Sequence, residues 1–175
     1  EDHRAPADAA VILGAKVKAD GSALLVWQNR LTAIATQDYD PSGAPRGAEM
    51  VASPAGPVPS RPWVSARPAG FVTVWTDYGS EGNFSGIVGR LQNALGNGVG
   101  APFLVNTSTA GVQDWARVAA DAAGNFVVVW GSYGPTGGSY GIFGRRFGPS
   151  GTPLGVEFRV NSYTTGYAEL PAVAM

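Results

Sequence analysis

Three apolar runs that end in tryptophan divide this chain into similar units. They are ALLVW (Ala23 to Trp27), FVTVW (Phe71 to Trp75) and FVVVW (Phe126 to Trp130). Behind each comes a second run anchored by isoleucine, and Ile34, Ile87 and Ile142 recur at intervals of about 54 residues. Units one and three align further, with Pro41-Ser42-Gly43 against Pro149-Ser150-Gly151, Gly47 against Gly155 and Glu49 against Glu157. Units two and three share Arg90/Arg145, Phe103/Phe158 and Asn106/Asn161. Self-similarity at this period is the mark of a repeat architecture, in which each unit buries its apolar face against the next.

Each unit carries four strand-like runs, here a (V-x-A), b (V-x-W), c (the isoleucine run) and d (E-F-x-V-N). They are short, rich in Val, Phe, Ile and Trp, and bounded by Gly, Pro, Asn and Ser. Phe71 to Trp75 is apolar on both faces, as suits a strand inside a packed stack. The PSG triplets predict turns between c and d, with Gly43 and Gly151 supplying positive φ. No window shows sustained helical periodicity, so the fold class is all-β. The boundaries fall at residues 1–14 (an N-terminal segment), 15–61, 62–115 and 116–170 (three repeats), and 171–175, where Pro171 to Met175 (PAVAM) starts a fourth.

Four-stranded units of this length look like β-propeller blades. AGNFVVVW (Ala123 to Trp130), YGIFGRRF (Tyr140 to Phe147) and GTPLGVEFRVN (Gly151 to Asn161) also resemble a class of tandem repeats in large secreted or surface proteins of bacteria. That resemblance implies a location outside the cell or at its surface. Three blades and one extra strand leave open sheet edges, which invite pairing. The leading expectation is a propeller closed by a homodimer or a higher ring. A longer array of repeats, or a threefold β-trefoil or β-prism, are the alternatives.

Composition narrows the chemistry. With 12 basic and 13 acidic residues the chain has no net basic face for nucleic acid. There is no cysteine, and the one histidine is His3. No Ser-His-Asp triad, P-loop or His-based metal motif is present. Glu1, Asp2, His3 and Asp8 form a small terminal cluster that is a weak metal candidate. Asp114 and Glu169 occupy matching d–a loop positions, but calcium needs more oxygen ligands than this spacing offers, so no cofactor is expected. No apolar stretch is long enough for a membrane helix.

The candidate ligand residues lie in the b–c connections and at one loop–strand junction. Trp75 and Ile87, like Trp130 and Ile142, stand 12 residues apart, whereas Trp27 and Ile34 stand 7 apart. The longer connections hold Asp77, Tyr78, Asn83, Tyr133 and Tyr140, side chains suited to glycan hydroxyls. Trp115, like Trp63, breaks the repeat pattern and is a sugar-stacking candidate, while Trp27, Trp75 and Trp130 read as core. Arg145 and Glu157 read as an ion pair within one blade, and Asn106 and Asn161 as residues capping their own turns. Asn83-Phe-Ser85 and Asn106-Thr-Ser108 match the N-glycosylation pattern. Together these features point to a non-catalytic module that recognises carbohydrate or another surface ligand. A purely structural assembly module, and a hydrolase with a site shared between chains, are the other two readings.

Overall fold

The computed structural model describes residues 11–29, 33–53, 58–81, 84–133, 140–163, 166 and 168–175. Asn83 and the terminal Glu1, Asp2, His3 and Asp8 lie outside that range, as does the side chain of Tyr140. The described residues form strands and no helix. Blade one comprises β1 (Val11–Val17), β2 (Ala23–Asn29), β3 (Ala33–Tyr39) and β4 (Pro45–Val51). Blade two comprises β5 (Val58–Arg67), β6 (Gly70–Glu81), β7 (Phe84–Gln92) and β8 (Gly98–Leu104). Blade three comprises β9 (Val112–Ala120), β10 (Phe126–Tyr133), β11 (Tyr140–Phe147) and β12 (Phe158–Arg159). Each is a separate antiparallel meander in chain order. The first strands β1, β5 and β9 pack side by side. This is a propeller-type arrangement of blades and not a trefoil or prism; no sheet closes on another.

One turn builds the hairpins. In the turn at Asp121, the Asp121 N–H donates to Asn125 O at 2.9 Å and the Gly124 N–H to Asp121 O at 3.0 Å. The same pair of bonds closes the turns at Lys18, Asp40, Asn93 and Gly148. The fourth residue needs a left-handed backbone, which Gly43 (φ 86°) and Gly151 (φ 82°) supply without a Cβ clash. A side chain locks three of these turns. Asp40, Asn93 and Asp121 each accept, through Oδ1, the backbone N–H groups two and four residues on.

The first strand of each blade is interrupted opposite the tryptophan. The pairing of β5 with β6 jumps between Ser60 and Trp63, so Arg61 and Pro62 together oppose Trp75. The pairing of β9 with β10 jumps between Asp114 and Arg117, so Trp115 and Ala116 oppose Trp130. β1 shifts at the equivalent place, between Ile12 and Gly14. The bulges of β5 and β9 have a left-handed first residue, a place usually taken by Gly. Here it is Arg61 (φ 51°) and Trp115 (φ 60°). The strand continues through the bulge, so β5 and β9 begin four residues before the V-x-A runs suggest.

Two apolar seams hold the blades together. Phe71 and Trp75 face Leu24, Val26 and Ile34 of blade one. The alternate residues Val72 and Val74 face Val118, Phe126 and Trp130 of blade three. Phe126 and Phe147 stack at 5.0 Å in that second seam. Trp75 and Trp130 are fully buried, and truncating a buried aromatic to Ala typically costs about 3–5 kcal/mol. Trp27, on the outer blade, is only half-buried.

Polar side chains stitch the same seams, and one sequence expectation changes here. Arg145 does not pair with Glu157. Its Nη1 donates to Val105 O of blade two at 3.0 Å. Glu157 reaches back to blade two as well, accepting from Thr107 N at 2.7 Å. Arg90 repeats the arrangement one blade earlier, donating to Ala52 O at 2.7 Å. The guanidinium meets a backbone carbonyl of the previous blade, while the carboxylate of its own blade is engaged by Thr107. Gln37 holds the matching place in blade one and bonds within it, to Asp38 O and Arg46 O. Asn106 and Asn161 cap their own turns, donating from Nδ2 to Ser108 O at 2.9 Å and to Tyr163 O. Their Oδ1 atoms do more than that: they accept the N–H of Ile87 (2.7 Å) and Ile142 (2.8 Å), tying the end of each d run to strand c. Asn106 is buried in this role, which removes its sequon as a glycan acceptor.

Residues 168–175 make no strand, yet Leu170 keeps the left-handed backbone of Arg61 and Trp115, with φ 57°. Val173, Ala174 and Met175 line a cavity of about 260 Å³ with Lys16, Trp63 and Ala119. The final segment therefore packs beside the first strands of the three blades.

Candidate functional site

The bulges gather unlike side chains at the start of the first strands. Asp114 is the centre. It precedes the Trp115 bulge, is buried, and projects across the seam from blade three to blade two. Its Oδ1 accepts from Thr76 Oγ1 at 2.8 Å and from Trp115 N at 2.7 Å. Its Oδ2 accepts from Tyr78 OH at 3.2 Å and from Arg61 Nη1. Four donors fix one carboxylate. Arg61 Nη1 also donates to Tyr78 OH at 2.8 Å. The Arg61 guanidinium is held well up in its charged form: burial opposes the charge, but the hydrogen bond and charge of Asp114 outweigh it. Burial, then the Asp114 charge, pushes the Tyr78 hydroxyl up, so it stays a neutral donor.

The guanidinium also covers an aromatic ring. Arg61 lies 4.0 Å from the Trp115 ring centre, and Arg117 lies 4.3 Å from that of Trp63. Strands β5 and β9 thus exchange one cation and one indole each. The stacking leaves both arginines and both indoles half-buried, and it offsets part of the strain at the two bulges.

The sequence candidates distribute unevenly around this cluster. Tyr78 and Trp115 are in it. Asp77 is not: the alternation of β6 turns it to the seam with blade one, on the face of Trp75. It is buried there, and burial pushes its carboxyl up, against a smaller lowering contribution from a Trp75 hydrogen bond. Asp77 and Asp114 therefore sit on opposite faces of blade two and do not form an acid–base pair. Tyr133 ends β10, partly exposed, with its backbone opposite Tyr140. The b–c connection of blade two is less a loop than a long hairpin, since β6 and β7 stay paired out to Glu81 and Phe84.

Arg61 and Asp114 form the core of the cluster; the sequence offers Asp114 only as a calcium ligand and gives Arg61 no role. Their signal was present: at the bulge position the repeats carry Arg61, Trp115 and Leu170, three unrelated side chains where core positions agree. Asp114 spends its oxygens on protein donors and Glu169 is exposed. Among the described residues no group of three or more His, Asp or Glu is placed to hold a metal ion. Nor, among them, is any helix long and apolar enough to cross a membrane.

No family model matches the chain. No curated protein matches it. Solved structures do. An endo-arabinase from Bacteroides thetaiotaomicron superposes with a TM-score of 0.56 at 18% identity, over 85% of this chain and 60% of that one. A GH43 endo-arabinanase from Bacillus licheniformis gives a TM-score of 0.34 at 9% identity, over 87% of this chain and 80% of that one, too distant to argue from. The chain thus spans about 60% of the length of the first of these. The likeness establishes the fold alone, a propeller-type all-β architecture shared with that endo-arabinase. It overturns the reading of the chain as a non-catalytic recognition module. That reading gave these repeats a carbohydrate-binding surface without chemistry, whereas a solved structure that shares their fold is an endo-arabinase.

Proposed function

We propose that this chain contributes three blades of a carbohydrate-active β-propeller hydrolase. A glycan would bind where Arg61, Tyr78, Asp114 and Trp115 meet. The observation that carries the reading is the Asp114 cluster. A buried carboxylate fixed by four donors, rimmed by partly exposed Arg61 and Tyr78, is a preorganised polar surface of the kind glycoside chemistry uses. Trp115 adds an indole edge for a sugar ring.

Glycoside hydrolysis needs two carboxyl groups on either side of the scissile bond. Asp77 and Asp114 do not face each other, so the partner of Asp114 belongs to a first strand outside these three blades. We assign it to a second copy of the chain, which would pair with the open blade edges and complete the ring around residues 171–175. Tyr133 then serves the outer rim, and the enzyme works outside the cell or at its surface.

The test is reducing-end release from linear arabinan and a panel of neutral and acidic polysaccharides, with the oligomeric state measured by light scattering. We expect activity in a species near twice 18.0 kDa. Asp114→Asn should lower it by about 100-fold or more. Absence of hydrolysis across the panel by the assembled protein would overturn the enzymatic reading.

A further inference from the structure

We propose that the recess between β5 and β9 is a subsite for an acidic sugar, with Arg117 as the partner of its carboxylate. The inference deepens the glycan reading and rests on it. The recess, about 90 Å³, is lined by Arg61, Pro62, Trp63, Trp115 and Arg117. Its two arginines are in different electrostatic situations. Arg61 is neutralised by Asp114. Arg117 has no carboxylate partner among the described residues. It donates from Nη1 to the carbonyl of its neighbour Ala116 at 2.9 Å and lies over the Trp63 ring. A guanidinium has five N–H donors in a planar fork, so this leaves donors to spare.

The side chain is only partly exposed, and burial strips part of its hydration and lowers its pKa. The recess therefore carries one uncompensated positive charge, held in place by an indole, beside a second indole at Trp115. A planar carboxylate fits the guanidinium fork in bidentate fashion. The carbon skeleton of the same sugar would meet the edges of Trp63 and Trp115. A neutral pentose satisfies the rings but leaves the charge without a partner. The ligand class this chemistry selects is a uronate-bearing glycan.

The position supports the assignment. Trp115 and Arg61 occupy bulge sites where a left-handed backbone favours Gly, and strain of that kind persists where the surroundings or the function demand the side chain. Arg117 and Trp63 are equivalent residues of successive blades, a cation in one and an indole in the other. The recess exists because the repeats differ there.

The test is calorimetric titration of the full chain with galacturonate oligomers and with neutral arabino-oligosaccharides of equal length, plus inorganic sulfate as a bare anion. We expect the acidic oligomers to bind more tightly than the neutral ones, and to weaken as salt is raised. Arg117→Met should cost about 10- to 100-fold in affinity for the acidic oligomers and leave the neutral ones within about twofold. Arg117→Lys, which keeps charge and fold, should recover only part of that loss. Equal affinity for acidic and neutral oligomers, or an acidic affinity unmoved in either variant, would overturn the subsite. Sulfate binding as tightly as the oligomers would also overturn it, because the indoles would then contribute nothing. Acidic oligomers bound but never cleaved would keep the subsite and remove the hydrolase. Neutral glycans cleaved with no acidic preference would do the reverse.

Discussion

Arg145 donates a hydrogen bond from Nη1 to the backbone carbonyl of Val105, 3.0 Å away across the seam between blades two and three. Its counterpart Arg90 does the same for Ala52 across the earlier seam. Each bond sets a charged donor on a partly buried acceptor, so each contributes more than a neutral pair would. Arg145→Met should therefore lower stability by about 1.5–3 kcal/mol in urea unfolding. Glu157→Gln should not reproduce that loss, because Glu157 serves Thr107 and not Arg145. Equal losses from both would return the pair to a single ion bridge.

Trp130 should be the less replaceable of the two buried tryptophans in polar terms. Its Nε1 donates to Gln113 Oε1 at 3.1 Å inside the core. Trp130→Phe keeps most of the packing but leaves the amide of Gln113 short of a donor, a loss of about 1–3 kcal/mol. The double variant Trp130→Phe with Gln113→Leu should recover part of it. Thermal unfolding of the three proteins checks this.

Two glycines in turns make opposite forecasts. Gly43 (φ 86°) has open space where a Cβ would stand, so Gly43→Ala should cost about 1–2 kcal/mol, from backbone strain alone. At Gly70 (φ 132°) a Cβ would stand 2.3 Å from Gln92 O and 2.4 Å from the Asn93 carbonyl carbon. Gly70→Ala should cost several times more and leave little soluble protein. Comparable melting temperatures for the two would contradict the close packing at the β6–β7 hairpin.

Acid and base act in opposite senses on two aspartates. Burial raises the folded-state pKa of Asp77 above the ordinary value of 3.8. Its protonated form suits the folded state, so this stability is full below about pH 3.8 and is lost as pH rises through the raised folded value. Asp77→Asn should thus gain on wild type as pH is raised from 3 to 7. The side-chain bond from Asn125, with backbone bonds in support, lowers the pKa of Asp121. Its contribution is present above pH 3.8 and is lost as pH falls through the lowered value, so Asp121→Ala should lose on wild type over the same range. Denaturation profiles at several pH values separate the two signs.

Trp115→Gly trades one effect against another. Relief of the left-handed backbone is worth about 1–2 kcal/mol, and the lost contact with Arg61 about 0.5–2 kcal/mol. Stability should stay close to wild type while glycan affinity falls at least tenfold. A large loss of stability with binding intact would make Trp115 a structural residue only.

The repeat, the four strands per unit and the PSG turns could all be read from the sequence, because they depend on local periodicity and on glycine's backbone freedom. Phe71 to Trp75 even showed that blade two is packed on both faces. The seam contacts could not be read. Arg145 and Glu157 lie on neighbouring strands of one blade, and nothing in their spacing says that both reach backwards to the previous one. The bulges were hidden for another reason. A left-handed arginine or tryptophan leaves no compositional mark, unlike a glycine, so the strands seemed to start at Pro62 and Ala116. Asp114 looked like a loop carboxylate until the bulge turned it toward Thr76 and Tyr78. Asp77, by contrast, was selected for its chemistry, while the alternation of β6 assigned it to the opposite face.

The reused five-residue turn bears on how the chain folds. Within a blade every strand pairs with its immediate successor, five of these connections use that turn, and short hairpins close in about 1–10 μs. Between blades, packing runs chiefly from neighbour to neighbour, with blade two shared by both seams. Such a molecule behaves as a short one-dimensional stack, in which units form quickly and cooperativity resides in their interfaces. Unfolding should begin at the outer faces of blades one and three and reach Trp75 last. Amide hydrogens of β6 would then exchange most slowly, since leaving the centre of a stack requires both interfaces to open.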